Sequence, residues 1–142
     1  MNRVIAVGVA LVAILSSSFP SSSATVDPDC LKSLETASAQ ARKRINIYQD
    51  ELKNMKEEQN TGSAMSICGS ALSRAEQYYK KNKTGDSVCT LGSTYVDGQV
   101  LQLFKNATIT CHSEITSILD RMPRDVQAPI AERIRQKEAE SR

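Results

Sequence analysis

Residues 27–55 read DPDCLKSLETASAQARKRINIYQDELKNM, and within them Leu31, Leu34, Ser38, Ala41, Ile45, Tyr48, Leu52 and Met55 recur at alternating steps of three and four. One side of an α-helix comes round every 3.6 residues, so this spacing marks a seam that a helix lays against its neighbours. Asp27-Pro28 supplies the start: the Asp side chain can accept from the free N–H groups of the first turn, and proline suits the first helical position. The stop is expected at NTGS (60–63), where Asn60 and Gly62 can end one helix and Ser63 can cap the next. The first helix is therefore expected to be long, from about residue 28 to 59.

Reading onward, Ala64, Cys68, Ala71, Ala75 and Tyr78 form the stripe of a second helix, with Met65, Leu72 and Tyr79 beside it. Its lysine-rich end suits the negative pole of a helix dipole, and NKTGD (82–86) then breaks it. Residues 83–93 read as a loop with room for a short strand. Val96, Val100, Phe104, Ala107, Cys111, Ile115, Ile118 and Met122 mark a third helix, which Leu101, Leu103 and Leu119 widen into a broad apolar face, the mark of the most buried helix. Pro123 stops it. Pro129 is a natural first residue for a short fourth helix with Val126, Ile130 and Ile134 on a narrow stripe. The expected fold is all-α, a small antiparallel three-helix bundle with a short C-terminal helical arm.

The chain opens MNRVIAVGVALVAILSSSFPSSSA, with Arg3, an apolar run from Val4 to Leu15 and a Ser-rich stretch ending in small residues. This is the layout of a secretory signal peptide, cut after about residue 24. Some twelve apolar residues fall short of the roughly twenty that a spanning helix needs, and no later run approaches that length. The expected organisation is a signal peptide (1–24), a stapled bundle (25–122) and an arm with a charged tail (123–142), in a protein that is secreted or periplasmic without stable membrane insertion.

Export decides what the cysteines are. Cys30, Cys68, Cys89 and Cys111 are an even set in a small exported chain, which reads as two disulfides. A zinc site would show cysteines two to four residues apart, and none are. His112 follows Cys111 directly, but consecutive helical residues point about 100° apart, so it is poorly placed to activate that thiol. Helix arithmetic at about 1.5 Å per residue puts Cys68 about 21 Å and Cys111 about 25 Å above the end where the second helix meets the third. The loop after residue 83 can reach the start of the first helix. The expected pairs are Cys68–Cys111 as an interhelical staple and Cys30–Cys89 as a tie between loop and first helix.

Other chemistry is sparse. The 18 basic and 16 acidic residues nearly cancel, which gives no electrostatic case for nucleic acid. The clusters RKR (42–44) and KKNK (80–83) read as solvated helix surface. Asp50 and Glu51, or Glu57 and Glu58, project from different faces of one helix and make no acid–base couple. No glycine loop cradles a phosphate, so neither catalysis nor a metal or cofactor is expected. Asn82 and Asn106 open the sequons NKT and NAT, acceptors of N-glycans in a eukaryotic secretory route. The expected function is a non-enzymatic interaction module of inhibitor, chaperone or accessory-subunit type, binding a protein or self-associating through an overhang of the first helix. The alternative is a carrier of a small apolar ligand between the helices.

Overall fold

A computed structural model describes residues 25–55, 61–84, 88–91 and 94–142; the expected signal peptide, Asn60 and the pair Glu57 and Glu58 lie outside the described residues. Four helices follow one another: α1 (Pro28–Asn54), α2 (Thr61–Thr84), α3 (Thr94–Asp120) and α4 (Arg124–Glu140). The chain is all-helical in these elements. Asp27 caps α1 by accepting from the Asp29 N–H at 3.0 Å, with Pro28 opening the first turn.

Two ends differ from the sequence reading. Met55 leaves the helical conformation at ψ 152°, so α1 stops at Asn54, once Leu52 has filled the last buried seam position. The expected overhang shrinks accordingly: α1 has 27 residues and α2 has 24. Ser63 is not a cap but sits inside the first turn of α2, which begins at Thr61.

Neighbouring helices run antiparallel. Arg42 and Glu35 of α1 pair with Glu76 and Lys83 of α2, and Cys68 and Tyr78 of α2 meet Cys111 and Gln99 of α3. The charge clusters noticed in the sequence are thus partly consumed between helices. The core falls into two stacked clusters. Near the α1–α2 end, Ile45, Tyr48 and Leu52 meet Ala64, Cys68, Cys111 and Ile115. At the opposite end, Leu34 and Ala41 meet Ala75, Val88, Val100 and Phe104. Full burial of side chains such as Phe104 or Ile115 contributes about 1.5–3 kcal/mol each.

The connection between α2 and α3 holds one isolated bridge, Val26 to Thr90, in place of a strand. Asp27 N–H donates to the Cys89 carbonyl at 2.8 Å and Leu91 N–H to Thr25 at 3.2 Å, which lashes the chain entering α1 to that connection.

The fourth helix begins at Arg124 and not at Pro129, five residues earlier than expected. Pro123, extended at ψ 145°, both ends α3 and opens α4, and its carbonyl accepts from Val126 and Gln127. Pro129 then lies one and a half turns in, where its missing N–H removes a single helical bond near an exposed end. Ile134 is buried in the first core cluster, with Ile130 packed against it, while Val126 stays exposed.

Candidate functional site: paired thiols, a buried carboxylate and an open groove

Cys30 and Cys89 form a disulfide with 5.5 Å between their Cα atoms. Cys89 adopts φ 58°, a left-handed backbone unusual for a side chain other than glycine. Three bonds hold it there: the sulfur bridge, its carbonyl to Asp27, and its own N–H to Asp97 Oδ1 at 2.6 Å. Asp97 therefore ties the first turn of α3 to the same knot. This carboxylate lies close to both sulfurs, but a pair of oxidised sulfurs offers no thiolate to a metal.

Cys68 and Cys111 are fully buried free thiols that face each other between α2 and α3. A hydrogen bond between them favours a thiolate at Cys68 and holds its pKa down, while the same bond, followed by burial, pushes Cys111 well up. His112 is exposed and turns away, its ring edge against Tyr48 at 5.7 Å. The nearby Glu114 carboxylate disfavours a thiolate on either sulfur.

Sequence reasoning missed the polar seat of α4. Glu51 is only 1% exposed and accepts two bonds from Arg133, at 2.8 and 3.2 Å, and one from Lys137 at 3.0 Å. The Arg133 guanidinium, with Lys137 behind it, holds the Glu51 carboxyl below its usual range against the opposing effect of burial. One turn earlier Tyr48 donates its hydroxyl to Glu138. Burial, reinforced by that carboxylate, raises the Tyr48 pKa far above its ordinary value. As positions in α4 rise from 133 to 138, their partners in α1 fall from 51 to 48, so α4 runs antiparallel along α1.

Beyond Ser141 the path of α4 continues into an open groove of about 530 Å³ between α1 and α3. Its floor is Ala37 and Ala41 with Phe104, and Leu101 and Ile109 stand along it. They are 41% and 55% exposed, so the broad apolar face of α3, read as the mark of the most buried helix, is left partly bare at Leu101, and Ile109 lies outside the residues counted in it. The walls carry Arg44 and Lys105, and among the described residues neither forms a salt bridge. A smaller cleft with Tyr48, His112 and Glu138 adjoins it through Arg44, Thr108 and Ile109. The signal for the groove was present in Leu101 and in the alanines of the α1 seam.

A scan against protein-family models and searches of curated proteins and of solved structures find no match. No helix among the described residues is long and apolar enough to cross a membrane.

Proposed function

We propose that the chain is an exported, non-enzymatic interaction module: an antiparallel three-helix body (25–122) closed by two disulfides, with a C-terminal arm (123–142), that docks on a partner protein through the α1–α3 groove. The observation carrying this reading is the bare apolar trough in line with α4. Leu101 and Ile109, about two turns apart on α3, are large side chains left in solvent along the groove, beside a floor of small residues that lets another backbone come close. Bare contiguous apolar surface of this kind marks interaction sites. Catalysis has no comparable support, because the buried titratable groups Glu51, Tyr48 and Cys68 are already paired with Arg133, Glu138 and Cys111.

The second bridge belongs to the same proposal. Cys68 and Cys111 close on export, each thiol losing one proton and one electron to an oxidised dithiol of the exporting compartment, which is reduced in turn. Alkylation of the unreduced exported protein then labels no cysteine, whereas labelling of the peptides holding Cys68 and Cys111 removes the second staple. Intact mass of the same sample checks that the chain begins near Thr25.

A groove of about 530 Å³ is also the size of a small-molecule site, which supports the second reading, a carrier of a small apolar ligand. Capture from the native extracellular or periplasmic fluid by the wild type and by Leu101→Ser/Ile109→Ser separates the two. Loss of a protein partner with helicity unchanged supports the docking groove. Unchanged capture refutes it, and a lipid-like molecule extracted from the wild type alone favours the carrier. Ile130 and Ile134 do not serve as probes, since Ile134 is core and Ile130 packs against it.

A further inference from the structure

Building on the groove as a docking surface, we infer that its occupant is an acidic amphipathic helix of a partner protein, lying along the path of α4 with carboxylates against Arg44 and Lys105.

The shape argument starts from α4, which shows how a helix sits beside α1. It buries one stripe through Ile134 and anchors its edge by polar contacts to Glu51 and Tyr48. The groove continues that track along α1 from Ala37 to Arg44 and along α3 from Leu101 to Ile109. Eight or nine residues of helical wall, seven or eight rises, span about 10–12 Å, two turns of an incoming helix. Ala37 and Ala41 stand four apart on the floor, so a helix axis can settle at the short end of the usual 8–10 Å spacing. Two turns present apolar anchors at positions such as i, i+3 or i+4 and i+7, which meet Leu101, Phe104 and Ile109.

The charge argument sets the rest of the partner. Arg44 stands on the α1 wall, Lys105 on the α3 wall and Arg142 at the end toward α4, and no Asp or Glu side chain lines the groove. An occupant with carboxylates on both flanks of its apolar stripe is matched on both sides, whereas a basic helix is repelled. A second copy docking the same face would set Arg44 and Lys105 against their own equivalents, which disfavours a symmetric dimer through this groove. A free fatty acid finds cationic partners for its carboxylate here, but the trough is open, and small-ligand sites bury most of the ligand.

The test is fluorescence anisotropy of the oxidised full-length protein with labelled synthetic helices of about 16 residues, long enough to be partly helical alone. One carries Leu at i, i+3 and i+7 flanked by Glu, the second has Lys for every Glu, and the third scrambles the Leu positions. The Glu peptide should bind, at least about tenfold tighter than the Lys peptide, and weaken as salt rises. Lys105→Glu, at an exposed position, should shrink that preference several-fold with the circular dichroism spectrum unchanged, and Arg44→Gln provides an independent second variant. Equal binding of Glu and Lys peptides, both lost in Leu101→Ser/Ile109→Ser, overturns the acidic occupant and leaves the docking groove standing. No binding of any peptide, with saturable binding of laurate, overturns both. A dimer in sedimentation that dissociates in Leu101→Ser/Ile109→Ser assigns the groove to a second copy and likewise overturns the inference.

Discussion

Replacing both Cys30 and Cys89 by Ser tests how far the knot between the α2–α3 connection and α1 carries the stability of the bundle. The bridge joins residues 59 apart. In the chain-entropy treatment a closed loop of that size removes unfolded-state freedom equivalent to about 4 kcal/mol at 25 °C. A second effect acts locally. Cys89 sits at φ 58°, a conformation that raises the backbone energy by about 1 kcal/mol or more for a residue with a side chain. With the sulfur link gone, only its bonds to Asp27 and Asp97 hold it there. Relief of that strain offsets part of the cross-link effect, so the loss should be about 3–4 kcal/mol, a large share of the 5–15 kcal/mol typical of a domain. Both cysteines are replaced because a single Ser leaves a thiol free to pair between molecules. Urea unfolding of the oxidised wild type and the double variant measures the difference. The unfolded variant, no longer cross-linked, exposes more surface, so its m value should rise as the midpoint falls. Hydrogen exchange should show the Asp27 and Leu91 amides, which donate across the knot, losing protection before the helix interiors. A loss under about 1 kcal/mol with an unchanged m value would refute the reasoning, because it would mean that the cross-link constrains neither state.

Three further outcomes follow from single groups. Glu51→Gln removes the charge that gathers Arg133 and Lys137, and α4 amides should then exchange about tenfold faster while the α2 and α3 interiors keep their protection. Because the Glu51 carboxyl is depressed in the folded state, its contribution is present above the unfolded carboxylate range of about 4.3 and disappears as pH falls through the lower folded value, so α4 should loosen below about pH 4 in the wild type and show no such acid step in Glu51→Gln. Tyr79 buries a hydroxyl without a hydrogen-bond partner among the described residues while its ring packs edge-on with Phe104, so Tyr79→Phe should leave stability unchanged or raise it by up to about 1 kcal/mol in thermal unfolding; a clear loss would reveal a partner for that hydroxyl. Gly98 lies in exposed helix with open space where a Cβ would project, and Gly98→Ala should stabilise by about 0.5–1 kcal/mol, measured by the same urea titration.

The elements that were legible in the sequence are those whose physics is local. Leu34, Ser38, Ala41, Ile45, Tyr48 and Leu52 form the buried seam of α1 because period alone puts them on one face. Asp27-Pro28 caps the helix through a bond two residues away. Facing of Cys68 and Cys111 needed only rise per residue and one reversal of direction. Where the reading failed, two local signals competed or the deciding partner was distant. Pro123 and Pro129 can each open a helix, and only the bonds of Val126 and Gln127 to the Pro123 carbonyl decide between them. Glu51 looked like one solvated acid beside another, since its partners are 82 and 86 residues further along.

The groove was hidden for the same reason, and this bears on how it came to be open. An apolar stripe shows that a face avoids water, not that a fourth element is long enough to cover it. On α3 that face reaches from Val96 to Met122, while α4 runs antiparallel to α1 from Arg124 and ends at Glu140, two residues past the contact of Glu138 with Tyr48, with Ser141 and Arg142 at the mouth of the groove. Covering the groove from Arg44 as far as Ala37 needs about 10 Å more along α1, or two further helical turns. The residues just before that end are Lys137, Glu138 and Glu140, and they are arranged for edge contacts more than for burial: Lys137 reaches Glu51 and Glu138 receives Tyr48. The seat of α4 is thus fixed by charge at the level of Glu51 and Tyr48, and the bare trough begins where those contacts stop. Extending α4 with further apolar turns should bury Leu101 and Ile109 and abolish peptide binding. Weakening its seat through Glu51→Gln should instead lengthen the trough toward Leu52 and admit a longer peptide. Opposite responses of peptide affinity to these two changes are what a continuous track predicts, and equal responses would mean that the groove and the α4 seat are separate surfaces.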